Sequence, residues 1–182
     1  GKEHLTVYGR QICELSGNAK KNILVTLAME QFPDWFGNVI RRSDKQIFWW
    51  FRRHPLFPHE NLDHLEWFHD PVLASRINIE DAGKFPLYAL LQYSNLHITK
   101  FSSSIIEAES FGIPSLTFYP QCLKMFYGQY ERGTLLFAPT EEEFITVISE
   151  QMQRNRNGAR AKRNEPEEIL LSLLRHAPDI AA

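Results

Sequence analysis

Residues 96–120, LHITKFSSSIIEAESFGIPSLTFYP, hold the most informative turn in the chain. A short apolar strand at 96–99 runs into three serines, Ser102, Ser103 and Ser104. A helix opens directly behind them. Gly112, Ile113 and Pro114 close it ahead of a second apolar strand at 115–119. Backbone N–H groups at a helix start, backed by hydroxyls and the helix dipole, make a ready seat for a phosphate-sized anion. The strand–turn–helix setting turns a serine run into a candidate site for a nucleotide or its diphosphate.

The rest of the chain alternates in the same way. ILVTL at 23–27 is a β-branched apolar run and reads as a buried strand. Trp35, Phe36, Val39 and Ile40 follow at helical spacing, and IFWWF at 47–51 is the next strand, ending in Arg52, Arg53, His54 and Pro55. Asn61 is placed to cap a short helix reaching Trp67, and 76–79 is a weak third strand. FPLYALLQY at 85–93 reads as a helix with Pro86 in its first turn. Beyond the second strand of the serine unit come a helical or irregular stretch around 124–130 and a short strand at 135–138. Thr140 and Glu143 then form a capping box opening a helix to about Met152. Strands alternating with helices predict an α/β fold, a Rossmann-like parallel sheet with helices on both faces.

Composition narrows the classes. A chain of 182 residues, 43% hydrophobic and 13% aromatic, has the material for one well-packed domain. Its net charge of −2 gives no general pull toward nucleic acid. Cys13 and Cys122 are isolated, with neither metal-ligand spacing nor a disulfide framework, which favours a reduced, intracellular setting. No apolar run is long enough to span a membrane, and the opening GKEHLTVYGR lacks the apolar core of a signal peptide. Gly1 has no initiator Met before it, so the chain is expected to be processed or cut from something longer. Residues 1–20 read as an interdomain connection or the tail of a preceding domain, 21–153 as the nucleotide-binding domain, and 154–182 as a basic linker with a C-terminal helix. The five basic residues between Arg154 and Arg163 face two readings: a solvated linker, or a surface for anionic lipid or a long anionic acceptor.

Ligands of open α/β sheets gather outside the C-terminal ends of the strands. Two polar clusters fall at such ends: Arg52 to Pro55, and Ser102 to Ser104. His54 is suited to donate to a phosphate oxygen, with Pro55 fixing the turn that aims it. A guanidinium adds a bidentate contact, and strand alternation allows only one of Arg52 and Arg53 to face the crevice; Arg53 is the chosen candidate. Glu107 has two readings, a capping box with Ser104 or a carboxylate on a ribose diol, and the ribose reading is preferred because other serines are free to cap. Glu109 falls on another face and is expected in solvent. His64 and His69 lack a third partner, so no metal is expected; His97 reads as a buried, satisfied histidine, and Glu80 with Asp81 as a loop. No G-x-S-x-G, Walker A or G-x-G-x-x-G motif is present.

The order KNILVTLA, a strand ending R-R-H-P, PLYALLQYS, and LHITKFSSSIIEAESFGIPSLTF resembles the C-terminal, nucleotide-sugar-binding half of a GT-B glycosyltransferase. The nearest flavour is bacterial surface or capsular polysaccharide enzymes, the sialyl-, polysialyl- and glycerophosphate-type transferases with His-Pro and Ser-Ser motifs. The resemblance covers about residues 20–150, and its most specific part is T-x-x-S-S-S-x-x-E-A-x-x-x-G-x-P from Thr99 to Pro114. It implies that His54, Ser102, Ser103 and Ser104 meet the donor phosphates, beside the Arg53 of the strand-end argument, and that Glu107 stands near the ribose or its equivalent. It implies no cofactor and no essential metal, and a CMP-, CDP- or UDP-linked sugar as donor; the chain is expected in the cytoplasm, with Arg154 to Arg163 as the candidate contact to the inner membrane face. A complete GT-B enzyme has two Rossmann-like domains, with the glycan or lipid-linked acceptor and the base on the other one. This chain has room for one, so it is expected to bind nucleotide weakly and to turn over nothing alone. Two alternatives stand beside this: a nucleotide-sugar 2-epimerase domain, and a non-catalytic nucleotide-binding or structural domain.

Overall fold

Long apolar and aromatic strands are buried on both faces only when helices cover a parallel sheet above and below, and that is the arrangement found. The computed structural model describes residues 2–17, 19, 21–27, 32–56, 62 and 65–154. In chain order the elements are α1 (Lys2–Leu15), β1 (Lys21–Thr26), α2 (Phe36–Arg42), β2 (Ile47–Arg52), α3 (Pro71–Ala74), β3 (Ile77–Asn78) and α4 (Leu87–Tyr93). They continue as β4 (Leu96–Ile98), α5 (Ser104–Ser110), β5 (Ser115–Thr117), α6 (Pro120–Met125), α7 (Tyr127–Glu131), β6 (Leu135–Phe137) and α8 (Glu141–Arg154). The strands form one sheet, ordered β3-β2-β1-β4-β5-β6, with every neighbouring pair parallel. The chain therefore builds outward from β1 to β3, then returns to lay β4 on the other side of β1. At such a reversal a crevice opens beyond the strand ends.

Alternation sorts the core into two layers. Ile23, Val25, Trp49 and Phe51 pack with Phe36, Val39 and Ile40 of α2 and with Phe144, Ile148 and Met152 of α8. Leu24, Phe48 and Trp50 pack instead with Leu90 and Leu91 of α4 and Ala108 of α5. Trp49 and Trp50, neighbours in sequence, thus serve opposite layers, as the period of two requires. Residues 1–20 contain α1, whose Ile12 is buried in the Trp50 layer and whose Tyr8 ring meets Phe85 edge-on at 6.1 Å between centroids.

Departures from the sequence reading are local. The 115–119 strand stops at Thr117, because Thr117 Oγ1 accepts the Tyr119 N–H at 3.1 Å and turns the chain into α6. The 124–130 stretch spans the end of α6 and most of α7, two short helices broken at Phe126. Pro86 caps α4 in extended geometry rather than entering it. Gly112, at φ +68°, closes α5 with the Ile113 N–H on Ala108 O (2.9 Å) and the Gly112 N–H on Glu109 O (2.8 Å), the left-handed stop its sequence indicates. Thr140 Oγ1 accepts the Glu143 N–H and donates to its carboxylate, opening α8. The expected cap at Asn61, and the basic run and helix beyond Arg154, lie outside the described residues. Among the described residues no helix is long and apolar enough to cross a membrane.

Gly37 of α2 supports Trp67 at close range: a Cβ added there would lie 2.7 Å from Trp67 Cβ and Cγ. Alanine would gain about 1 kcal/mol of helix propensity. The clash falls on the root of a buried indole, where overpacking costs about 1–3 kcal/mol. Gly37→Ala is therefore expected to lower the unfolding free energy by about 1 kcal/mol net in urea denaturation. An unchanged or raised midpoint would mean that Trp67 shifts freely.

Candidate functional site

Parallel strands end in one layer, so the polar residues that follow them collect along one edge of the sheet. Thr26 and Leu27 at the end of β1, Arg52, Arg53, His54 and Pro55 after β2, and Ser102, Ser103 and Ser104 after β4 border one cleft, together with Leu87 and Glu107. Its volume is about 240 Å³. All six residues singled out in the sequence, Arg53, His54, Ser102, Ser103, Ser104 and Glu107, lie on it. Thr26, Leu27 and Leu87 were missed, and the alternation argument set Arg52 aside in favour of Arg53. Thr26 had a legible signal, a polar residue at the carboxyl end of a central strand.

Both arginines border the cleft, against the alternation argument. The ladder ends at the Thr26–Arg52 pair, so Arg53 is already outside strand geometry and period two no longer applies. Both arginines are partly buried, and each Nε is buried without a hydrogen-bond partner among the described residues. Burial lowers the Arg52 pKa from its ordinary value, yet a guanidinium keeps its charge. His54 Nδ1 accepts the Leu56 N–H at 3.1 Å. A neutral imidazole so engaged carries its proton on Nε2, which is then the donor.

The three serines divide their work. Ser103, exposed, precedes the first helical residue of α5 and makes no side-chain capping bond. Ser104 is buried, and its hydroxyl meets Thr26 Oγ1 at 3.0 Å, His97 Nε2 at 3.2 Å and Ser102 Oγ at 2.9 Å. It lies inside the helix and is committed inward, so the capping box with Glu107 does not form. Glu107 is partly buried, Oε2 has no hydrogen-bond partner among the described residues, and desolvation raises its pKa above the ordinary carboxylate value. A lone acceptor on the cleft wall suits a hydroxyl donor. His97, fully buried, has its pKa pushed down to about 3 by desolvation.

Glu109 is not in solvent. Its carboxylate accepts from Arg132 Nε and Nη2 at 2.8 and 2.9 Å, from Thr134 Oγ1 at 2.8 Å and from Gln129 Nε2 at 3.2 Å, tying α5 to α7 and the start of β6. Those donors hold its pKa below the ordinary value. Asp81 closes its own turn, accepting from Asn78 Nδ2 and Lys84 Nζ. A larger hollow of about 350 Å³ lies between Phe32, Asp34, Arg41, Glu66 and Trp67. Its arginine is paired with Asp70 at 2.8 Å, and two carboxylates flank the opening, so it is the poorer anion site despite its size. Among the described residues no group of three or more metal-ligating side chains gathers.

Neither a protein-family model nor a curated protein sequence matches the chain. Solved structures do match its fold. The glycosyltransferase of kitacinnamycin is 16% identical, with 87% of this chain aligned to 39% of that one at a TM-score of 0.53. A putative UDP-N-acetylglucosamine 2-epimerase from Listeria monocytogenes is 16% identical over 78% of this chain and 38% of its own, at 0.55. A wall teichoic acid polymerase TagF crystal soaked with CDPG is 15% identical over 94% of this chain and 46% of its own, at 0.52. The chain thus spans less than half the length of these proteins and shares with them a Rossmann-like fold of the GT-B type.

Glu107 gives the cleft a pH signature. Its folded-state pKa is raised, so the native state holds that proton more tightly than the unfolded chain does. This contribution to stability is fully present below the ordinary carboxylate pKa and is lost as pH rises through the raised value. Glu107→Gln is expected to raise the melting temperature at pH 7, with the gain shrinking as pH falls to about 4. A gain that persists unchanged at low pH would show that ionisation is not its source.

Proposed function

We propose that this cleft holds the phosphates of a nucleotide sugar, and that the chain is the donor-binding part of a GT-B glycosyltransferase of cell-surface polysaccharide synthesis. The observation that carries the reading is the meeting of Arg52, Arg53, His54, Ser102 and Ser103 in one cleft at the reversal of the strand order. A seven-residue helix such as α5 has a small dipole. Guanidiniums, the imidazole and hydroxyls therefore supply most of the attraction. At about 240 Å³ the cleft is smaller than the roughly 300–1,000 Å³ of complete small-molecule sites. It suits the phosphates and the atoms beside them, with Glu107 toward the ribose diol.

In such a reaction an acceptor hydroxyl attacks the anomeric carbon, or phosphorus in a glycerophosphate donor, and the bond to the leaving nucleotide phosphate breaks. Negative charge grows on the phosphate oxygens, where the cleft's cations and donors are already in place, which lowers the barrier. The glycan or lipid-linked acceptor and the base belong to a second domain in this reading. The epimerase match, at a TM-score equal to or above that of the transferases, supports a second reading in which a uridine donor reacts without any acceptor.

A thermal-shift panel of CMP, CDP, UDP, GDP and their sugars, run on wild type and Ser103→Ala, tests this. Ser103 makes no side-chain capping bond, so its truncation should leave the fold intact. One nucleotide at about 100 times its dissociation constant should add about 2.7 kcal/mol of stability, and Ser103→Ala should weaken it about tenfold. Cytidine preference favours the transferase, uridine preference the epimerase. Absence of binding at millimolar concentration overturns both.

A further inference from the structure

A buried chain of hydroxyls leads from the middle of the sheet to the cleft, and its protons have only one consistent arrangement. Ser102 Oγ accepts twice from Ser104, from the N–H at 3.3 Å and from the hydroxyl at 2.9 Å. Ser104 has a single hydroxyl proton, and it is spent there. Toward Thr26 and His97, at 3.0 and 3.2 Å, Ser104 Oγ therefore acts only as an acceptor. The Thr26 proton fills the first of these contacts. The 2.9 Å contact between Thr26 Oγ1 and His97 Nε2 must then be filled from the ring. His97 carries its proton on Nε2, and Nδ1, 2.8 Å from Ser115 Oγ, accepts from that hydroxyl. The opposite tautomer would leave Thr26 with one proton for two contacts and the Ser104–His97 contact with none. Complete burial of the ring keeps it neutral.

We propose that His97, as the neutral Nε2–H tautomer, is a positioning residue that fixes the direction of this relay and so turns the Ser102 hydroxyl proton into the cleft. Both acceptor directions of Ser102 Oγ are occupied by Ser104, and the side chain borders the cleft. Its proton is thus the part offered outward. Ser102 meets its ligand as a donor, which selects an oxygen that only accepts, as in an ionised phosphate. This role rests on the nucleotide reading of the cleft. It also separates two neighbours that look alike in sequence: Ser102 is oriented by the core, whereas Ser103 makes no capping bond and is exposed.

Two measurements test the proposal and separate its failure from that of the nucleotide reading. Two-bond nitrogen–proton NMR correlations on ¹⁵N-histidine-labelled, ligand-free protein read the His97 tautomer without any ligand. The Nε2–H form is expected throughout the neutral range; the Nδ1–H form or a cationic ring overturns the relay even if nucleotides bind. The second is a double-mutant cycle on affinity for CDP and UDP, using Ser102→Ala, His97→Leu and the pair. Ser102→Ala should weaken binding about tenfold to hundredfold. His97→Leu should weaken it comparably, yet cost nothing further when Ser102 is already alanine. His97→Gln, which keeps an amide donor near the Nε2 position, should retain more affinity than His97→Leu, and it carries the same cycle if the leucine variant does not fold. Additive losses, or equal loss in the glutamine and leucine variants, overturn the proposal. Wild type with the Nε2–H tautomer that binds none of CMP, CDP, UDP and GDP overturns the nucleotide reading, and with it the role given to Ser102.

Discussion

A sheet covered on both sides leaves its central strands no water, so every polar atom placed there has to find its partner inside the protein. Much of the architecture follows from how this is met. Lys21, at the start of β1, donates to Met152 O at 2.7 Å and fastens the end of α8. Asn22 takes the Trp50 indole N–H on its side chain at 3.0 Å and gives its backbone N–H to Asn95, holding β1 to β2 and to the turn before β4. Arg76 reaches Ile47 O, Ser43 Oγ and Asp44 O, fixing the start of β2 against the segment before β3. Thr26, His97 and Ser115 satisfy one another across β1, β4 and β5 and deliver Ser104 to its place. The apolar layers supply the driving force; these polar ties decide register and docking.

The same requirement is left unmet at the cleft. Six buried side-chain polar atoms lack a partner among the described residues, and three of them, Arg52 Nε, Arg53 Nε and Glu107 Oε2, belong to residues lining this one cleft. Folded proteins pair nearly all such atoms, so a concentration of exceptions marks a place kept ready for something else. Two are donors on cations and one is an acceptor. That mix of charge is what the proposed nucleoside phosphate, anionic at one end and hydroxylated at the other, would complement.

The sheet was legible in the chain because its signals are local and periodic. IFWWF and ILVTL announce buried strands by composition, and GIP after the serine helix announces its end. Helix boundaries near Pro86 and Phe126 were less legible, since they depend on a residue or two of backbone geometry. The cleft was half visible: HP and SSS stand out, but the placement of both Arg52 and Arg53 depends on where the ladder stops, which no periodicity records. Glu109 was misread because its three donor residues come from twenty or more positions downstream. The inward commitment of Ser104 was invisible for the same reason, its partner Thr26 lying 78 residues away.

The two sides of the cleft are held by different physics. Phe51, the residue before Arg52, belongs to an aromatic cluster: it sits 5.4 Å from Trp67 and 4.9 Å from Phe68, ring centre to ring centre, and Phe36 adds contacts to Phe51 and Trp67. Each such pair contributes about 0.5–1.5 kcal/mol beyond its buried area. The four pairs anchor the strand end on which Arg52 stands. On the serine side, position comes from directed hydrogen bonds as well, and direction is what a hydroxyl, able to donate or accept, needs in order to select. Packing sets where the charge stands, and the hydroxyl relay sets which way the proton points.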